Sequence, residues 1–289
     1  MTAPDGLLVV DKPAGWTSHD VVARVRRLAA TRRVGHGGTL DPMATGVLVV
    51  GLGRATKLLG HLAAHDKDYV AHITVGVTTT TDDAEGEVVA RTDAAWTEGG
   101  VRAAMAGLTG KISQVPPAYS AIKVAGRRAY ARARAGEDVA LVPRMVTVSR
   151  FDLLAVDGPV LHAEVTCSSG TYVRALARDL GAALGTGAHL SGLRRTRVGA
   201  YGLDQAHPLT ALEAAAVLPL VPLADAVAAA FPRRDVTAEE ATGLAHGRPL
   251  PASAERGPVG VFAPDGTVVA LVADRDGLAR PLAVFTPAG

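Results

Sequence analysis

A histidine and a carboxylate share one glycine-rich stretch of this 289-residue chain, Gly35-His36-Gly37-Gly38-Thr39-Leu40-Asp41-Pro42. An apolar run, Gly46-Val47-Leu48-Val49-Val50, follows at once and reads as a strand. Loops carried on rigid strands are where reactive side chains concentrate. The glycines let the backbone take conformations closed to other residues and let a ligand come close. Pro42 fixes its own φ and biases Asp41 toward an extended conformation. A carboxylate held in one posture at the mouth of a sheet can serve as a nucleophile or a base. The same residues also suit an Asx-turn, in which Asp41 only caps its own backbone.

The elements that must position this loop are legible on both sides of it. Leu7-Leu8-Val9-Val10 reads as a buried strand. Thr17 can cap a following helix, with Asp20 three residues on, and Val21, Val22, Val25 and Leu28 form its apolar stripe. Residues 71 to 77 alternate, with Ala71, Ile73, Val75 and Val77 on one face and Tyr69 of the same parity. Leu161, Ala163, Val165 and Cys167 alternate again, and a second helix is predicted from Tyr172 to Leu184, capped by Thr171 and ended near Gly185. Strands outnumber helices and lack βαβ alternation, which favours an α+β fold with a largely antiparallel sheet. Residues 203 to 232 are rich in alanine and proline and read as a helix plus a linker. Beyond them, Thr237 and Glu240 make a capping box, Gly247 ends a short helix, and Pro258 to Phe285 reads as a three-strand meander.

Composition narrows the class. The hydrophobic content of 48% is ample for a packed core. No window carries the roughly 18 apolar residues of a membrane span, and no signal-peptide pattern opens the chain. With one cysteine, Cys167, there is no intramolecular disulfide and no Cys-based zinc site, which suits a reducing cytoplasm. Apart from His61 and His65 the nine histidines show no metal-ligand spacing, and with no cysteine pair to complete a site no metal is expected. The net charge of +2 is uneven. Residues 1 to 200 hold 24 Lys and Arg against 18 Asp and Glu, and residues 201 to 289 hold 6 against 10. Positive charge is densest over 121 to 150 and 171 to 200, the footprint expected for a phosphate backbone.

Five ordered motifs, besides the glycine-rich loop around Asp41, carry a family resemblance. Asp11-Lys12-Pro13-Ala14-Gly15-Trp16-Thr17-Ser18 precedes that loop, and Lys67-Asp68-Tyr69 follows. Pro116-Pro117-Ala118-Tyr119-Ser120-Ala121-Ile122-Lys123 lies in a central insertion. Cys167-Ser168-Ser169-Gly170-Thr171-Tyr172-Val173-Arg174 leads into the second helix, and Leu193-Arg194-Arg195-Thr196 closes the set. Together they resemble the TruB family of tRNA pseudouridine-55 synthases. That resemblance implies a pseudouridine-synthase fold with a mixed, largely antiparallel central sheet over residues 1–228, an RNA-clamp insertion at about 111–150, and a small PUA-like β domain over 229–289. It implies an isomerase that turns uridine into pseudouridine in the T-stem-loop of tRNA, by base flipping, with no cofactor. No obligate protein partner is expected, and the chain is expected to act as a monomer in the cytoplasm. A role in tRNA folding can accompany the chemistry.

The same resemblance distributes roles. Asp41 is the catalytic carboxylate. Arg174 is the cation that keeps it ionised and oriented, since a lone buried carboxylate tends to take up a proton. In the first turn of its helix an arginine is disfavoured by the macrodipole, by about 0.3–1 kcal/mol, unless a carboxylate faces it. Tyr69 offers a ring for stacking, Tyr172 a wall or a hydrogen bond, Leu193 an apolar wall, and His36 a prop in the gap left by the extruded base. Lys123, Arg127, Arg128 and Arg132 are expected to clamp phosphates, while Lys12 and Pro13 brace the loop. The chain departs from many relatives at Ser169, where they carry a basic residue, and in its divergent C-terminal module. Three rivals differ in class or substrate: a guide-dependent enzyme of a larger particle, an RNA chaperone, and a glycoside hydrolase. The last would want a second, matched carboxylate.

Overall fold

The structure is a computed structural model. It describes residues 5–119 and 141–286, together with the backbone alone of 123–124 and 127–128. The chain divides into two units, Met1–Leu40 with Val47–Ala63 and Gly199–Gly289, and Asp41–Gly46 with Ala64–Val198.

In the first unit, β1 (Gly6–Lys12) leads to α1 (Ser18–Leu28), then β2 (Val34–His36) and β3 (Thr45–Leu52), whose first two residues belong to the second unit. The apolar run of β1 is buried over Leu7–Val10, as its lack of polar interruption requires. α1 starts where the sequence predicts: Thr17 accepts from the Asp20 N–H, and the Asp20 carboxylate accepts from the Thr17 N–H. Its Val21, Val22 and Val25 pack with Leu8 and Val10 of β1 and Leu48 and Val50 of β3 in one core. β1 lies between β3 and the short strand His207–Pro208, which it pairs in parallel, and β2 pairs antiparallel with β3. The alanine- and proline-rich stretch forms two short helices, Leu209–Ala214 and Leu223–Ala230. A single helix plus linker is therefore corrected to two helices. The prolines explain the break, because each helix opens directly after one, Pro208 or Pro222. Further on, the helix Ala238–Ala245 carries the expected capping box. The meander Val259–Phe262, Val268–Arg275 and Leu278–Val284 is joined by Arg233–Asp235 and Leu250–Pro251 into a five-stranded sheet.

The second unit is built on β4 (Lys67–Val75), β10 (Arg144–Asp157), β11 (Val160–Cys167) and β12 (Ala188–Val198). A small hairpin, β5 (Val77–Thr79) and β6 (Val88–Arg91), follows β4, and β7 (Gly110–Gln114) edges the sheet. Two short strands, β8 (Lys123–Val124) and β9 (Arg127–Arg128), pair with each other. The order β12-β4-β11-β10-β7 is antiparallel throughout, while Thr45 and Gly46 pair in parallel with Arg194 and Arg195 of β12. A mixed, largely antiparallel sheet is thus what the alternating strands make. One face of β4 and β11 buries Tyr69, Ala71, Ile73, Leu161, Ala163, Val165 and Cys167. α2 (Val173–Ala183) packs against β12 and buries Val173, Leu176 and Leu180. Each such side chain contributes about 1.5–3 kcal/mol of burial. Gly46 sits where no other residue fits: its φ is +101°, and a Cβ would lie 2.1 Å from the Arg195 carbonyl oxygen. No described helix is long and apolar enough to cross a membrane.

Ser18, buried at the start of α1, holds the residue just before Asp41. Its hydroxyl accepts from the Leu40 N–H at 2.9 Å and donates to the Leu40 carbonyl at 3.1 Å. Ser18→Ala leaves both backbone groups buried without that partner. It is expected to lower the unfolding free energy by about 1–3 kcal/mol, read as a drop in the urea midpoint at unchanged slope.

Candidate active site

α2 owes its start to a distant residue. Its N-cap is Tyr172, with no side-chain capping bond, so the expected cap by Thr171 is corrected. Gln114, fully buried at the end of β7, does this work instead. Its Oε1 accepts from the Tyr172 N–H at 2.9 Å, and its Nε2 donates to the Tyr172 carbonyl at 3.2 Å. A tertiary partner replaces the local one, which no short-range pattern could reveal.

The next residue but one is Arg174, in the first turn of α2, with only 8% of its side chain exposed. Its Nε lies 3.0 Å from Asp41 Oδ2, and its Nη2 donates to Asp41 Oδ1 at 3.4 Å. Its Nη1 faces Asp83 Oδ2 at 3.4 Å and donates to the Thr81 carbonyl at 3.0 Å, and its Nη2 also donates to the Tyr119 carbonyl at 3.0 Å. The dipole penalty of about 0.3–1 kcal/mol is small beside charge-assisted hydrogen bonds of about 1.5–3 kcal/mol each. Asp83 is itself buried and tied down, its Oδ1 accepting from Thr81 Oγ1 at 2.5 Å and from the Glu85 N–H at 3.1 Å. Asp41 is the open member, with 32% of its side chain exposed. One guanidinium therefore spans two carboxylates, a rigid one behind it and a reachable one in front.

Asp41 itself sits in a turn closed by the Ala44 N–H on its carbonyl at 3.1 Å. The strands then carry a row across the sheet, Gly46 opposite Arg195 and Arg195 opposite Tyr69. Tyr69 is buried, and burial pushes its phenol up to about 12 against the opposing influence of Arg195, so the ring is neutral at physiological pH. Leu193 lies two residues before Arg195 on β12, opposite Ala71, and so on the face that Tyr69 shares. The Tyr172 ring has the Arg144 guanidinium 6.0 Å from its centroid. Lys67, two residues before Tyr69, donates to the His65 carbonyl at 2.8 Å. Burial first, then Arg195, pulls its pKa down to about 8.

The remaining expected residues lie elsewhere. Lys12 is fully buried in the first unit, donating to the Pro13 and Trp16 carbonyls at 2.9 and 2.7 Å, which staples the turn that leads to α1. His36, on β2, meets the His19 ring edge-on at 5.3 Å. Arg132 lies outside the described residues, as do the side chains of Lys123, Arg127 and Arg128. Asp83 and Gln114 were not foreseen. In Thr80-Thr81-Asp82-Asp83-Ala84-Glu85-Gly86, aspartates read simply as turn formers.

Residues 26–173 match the TruB family pseudouridylate synthase N-terminal domain. The chain is 59% identical to a tRNA pseudouridine synthase B of Thermobifida fusca (strain YX), over 97% of its own length and 98% of that protein's. The chain belongs to the TruB family. Residues 174–219 and 231–286 match two TruB-type C-terminal models, described as tRNA pseudouridylate synthase B C-terminal domain and tRNA Pseudouridine synthase II, C terminal. A second relative, tRNA pseudouridine synthase B of Arthrobacter sp. (strain FB24), is 56% identical over 98% of this chain and 97% of that one. Among solved structures, a Cbf5-Nop10-Gar1 complex is similar with a TM-score of 0.77 and 26% identity, covering 98% of this chain and 85% of the matched one. Within this TruB chain, the loop motif and the arginine motif meet at a single guanidinium, which also holds the Tyr119 carbonyl of the insertion motif.

Two outcomes follow from the electrostatics. Asp83→Asn keeps the acceptor for Thr81 and Glu85 but removes the second negative charge facing Arg174. Turnover is expected to fall about tenfold with tRNA affinity unchanged, measured by single-turnover kinetics beside filter binding. Lys67 has a folded-state pKa near 8 against an ordinary 10.5. Across that window the unfolded chain holds a proton that the folded one has lost, so this lysine's contribution to stability rises with pH. The unfolding free energy of wild type relative to Lys67→Met is therefore expected to increase between about pH 7.5 and about pH 9.5.

Proposed function

We propose that this enzyme isomerises uridine to pseudouridine at position 55, in the T-stem-loop of tRNA, with Asp41 as its catalytic carboxylate. Family membership and full-length relatives named tRNA pseudouridine synthase B support the isomerase and its tRNA substrate. The observation that carries the residue assignment is the Asp41–Arg174 pair at 3.0 Å, formed by the two family motifs that resemblance singled out.

The reaction breaks the C1′–N1 bond, turns the base and rejoins it through C5. Nothing is oxidised and no group is imported, so no cofactor is required. The carboxylate starts the reaction at the sugar, by attack on C1′ or by removal of the C2′ proton. Arg174 faces one oxygen in an ion pair through Nε and hydrogen-bonds the other from Nη2, which keeps the carboxylate charged and in place. The uridine must leave its stack first, at a cost of a few kcal/mol. Tyr69 offers its ring to the flipped base, Leu193 and Tyr172 wall it, and His36 fills the place it leaves. Lys12 and Pro13 brace the loop from its N-terminal side. Lys123, Arg127, Arg128 and Arg132 grip phosphates, which position the RNA without reading its sequence. Specificity then rests on the shape of the T-loop and its splayed bases. In this reading residues 1–228 form the catalytic domain and 229–289 a PUA-like module. The enzyme works as a cytoplasmic monomer without a protein partner.

Purified protein and an unmodified tRNA transcript, with pseudouridine mapped at base resolution, test the whole proposal. Conversion at the T-loop uridine is expected for wild type, and Asp41→Asn is expected to bind the same tRNA without converting it. Binding without conversion by wild type would instead favour a chaperone or an enzyme dependent on a guide. Conversion by Asp41→Asn would move the chemistry to another residue.

A further inference from the structure

One turn beyond Arg174, α2 carries Arg178, and the two arginines are wired alike. Arg178 Nη1 donates to Asp82 Oδ2 at 3.2 Å, its Nε to Asp179 Oδ1 at 2.9 Å, and its Nη2 to the Val115 carbonyl at 2.8 Å. Arg174 in turn reaches Asp83 and the Tyr119 carbonyl. Adjacent aspartates of one loop are thus linked, through arginines four residues apart, to carbonyls four residues apart on one segment. That segment, Val115-Pro116-Pro117-Ala118-Tyr119, is stiffened by its two prolines and lies in the first, N-terminal part of the insertion.

The loop end of this device is rigid. Asp82 has a φ of +60°, its N–H donates to the Thr79 carbonyl at 3.3 Å, and its own carbonyl accepts from the Leu190 N–H at 3.0 Å. The Ala84 N–H closes back onto the Leu190 carbonyl at 3.0 Å, which anchors the loop to β12. Burial raises the Asp82 pKa, and Arg178 first and Arg174 next oppose that rise. Arg178 leaves Arg174 to its own contacts with Asp41 and Asp83, and nothing in the chemistry described above requires it. Its outward contact is Val115, at the root of the insertion.

We infer that Arg178 and Asp82 form a positioning pair that sets the root of the insertion before RNA arrives. The inference rests on the proposal that the insertion grips tRNA. A segment already fixed in its binding posture loses less freedom on binding, which strengthens affinity without changing the chemical step. The pair therefore governs KM and the dissociation constant, whereas the Arg174 cluster governs kcat.

The test uses full-length Arg178→Met and Asp82→Asn with an unmodified tRNA transcript, beside the double variant Arg127→Ala/Arg128→Ala. Asparagine accepts a left-handed backbone and keeps the size of aspartate, so Asp82→Asn preserves the loop. For both single variants KM and the dissociation constant are expected to rise about fivefold with kcat within about twofold. The sign for Asp82→Asn is decisive: removing a negative charge favours a polyanion by electrostatics alone, so weaker binding can come only from lost positioning. Adding Arg178→Met to the double variant is expected to weaken binding no further, since both act through one segment. Tighter binding by Asp82→Asn, or a fall in kcat at constant KM, would overturn the inference. If the double variant binds tRNA like wild type, the reading of the insertion fails and takes the inference with it. If the double variant alone binds weakly, that reading stands and the positioning pair is refuted.

Discussion

A guanidinium buried at the positive end of a helix is unfavourable by itself, and the second unit is arranged around removing that difficulty. Arg174 needs anions and carbonyls on every side, and it draws them from the Asp41 loop, the hairpin loop at Thr81 and Asp83, and the segment ending at Tyr119. Each of those segments gains a fixed point by meeting it. Removing the cation would leave a buried carboxylate at Asp83 without its counter-charge, so the arrangement is all-or-none. Rigidity behind the site and exposure in front of it come from the same contacts. Asp83 is closed in, and Asp41 faces outward.

Sequence separation gives this constraint a kinetic side. Arg174 meets Asp41 across 133 positions, Thr81 across 93 and Tyr119 across 55. By contrast α1 is started by residues three apart. Such distant closures come late and slowly in folding. A chain that has formed its helices and hairpins still lacks the site, which exists only in the completed unit.

Much of this was legible in the sequence because some interactions leave local marks. The Thr17–Asp20 box, the buried parity of Tyr69, Ala71 and Ile73, and the three-strand meander all follow from spacing alone. Asp41 and Arg174 were legible only as motifs, and their meeting rests on tertiary folding that no period of 2 or 3.6 encodes. Asp83 hid in a stretch whose threonines and aspartates suit any turn. Gln114 hid at the end of a short edge strand, so the sequence pointed to Thr171 for a capping role that Tyr172 and Gln114 fill together. The prolines at 208 and 222 were visible, yet their effect, two helices instead of one, depends on where each helix finds a surface to bury Leu209, Leu212, Leu223 and Val227.

The single cysteine carries a practical consequence. Cys167 is buried at the end of β11, and burial pushes its thiol up to about 11. At neutral pH the fraction of reactive thiolate is on the order of one in ten thousand, and reagents cannot reach even that. The native thiol is chemically silent. A cysteine introduced at any exposed position would be the sole site of maleimide labelling, and the protein would take a fluorophore or spin label without first being stripped of its own sulfur.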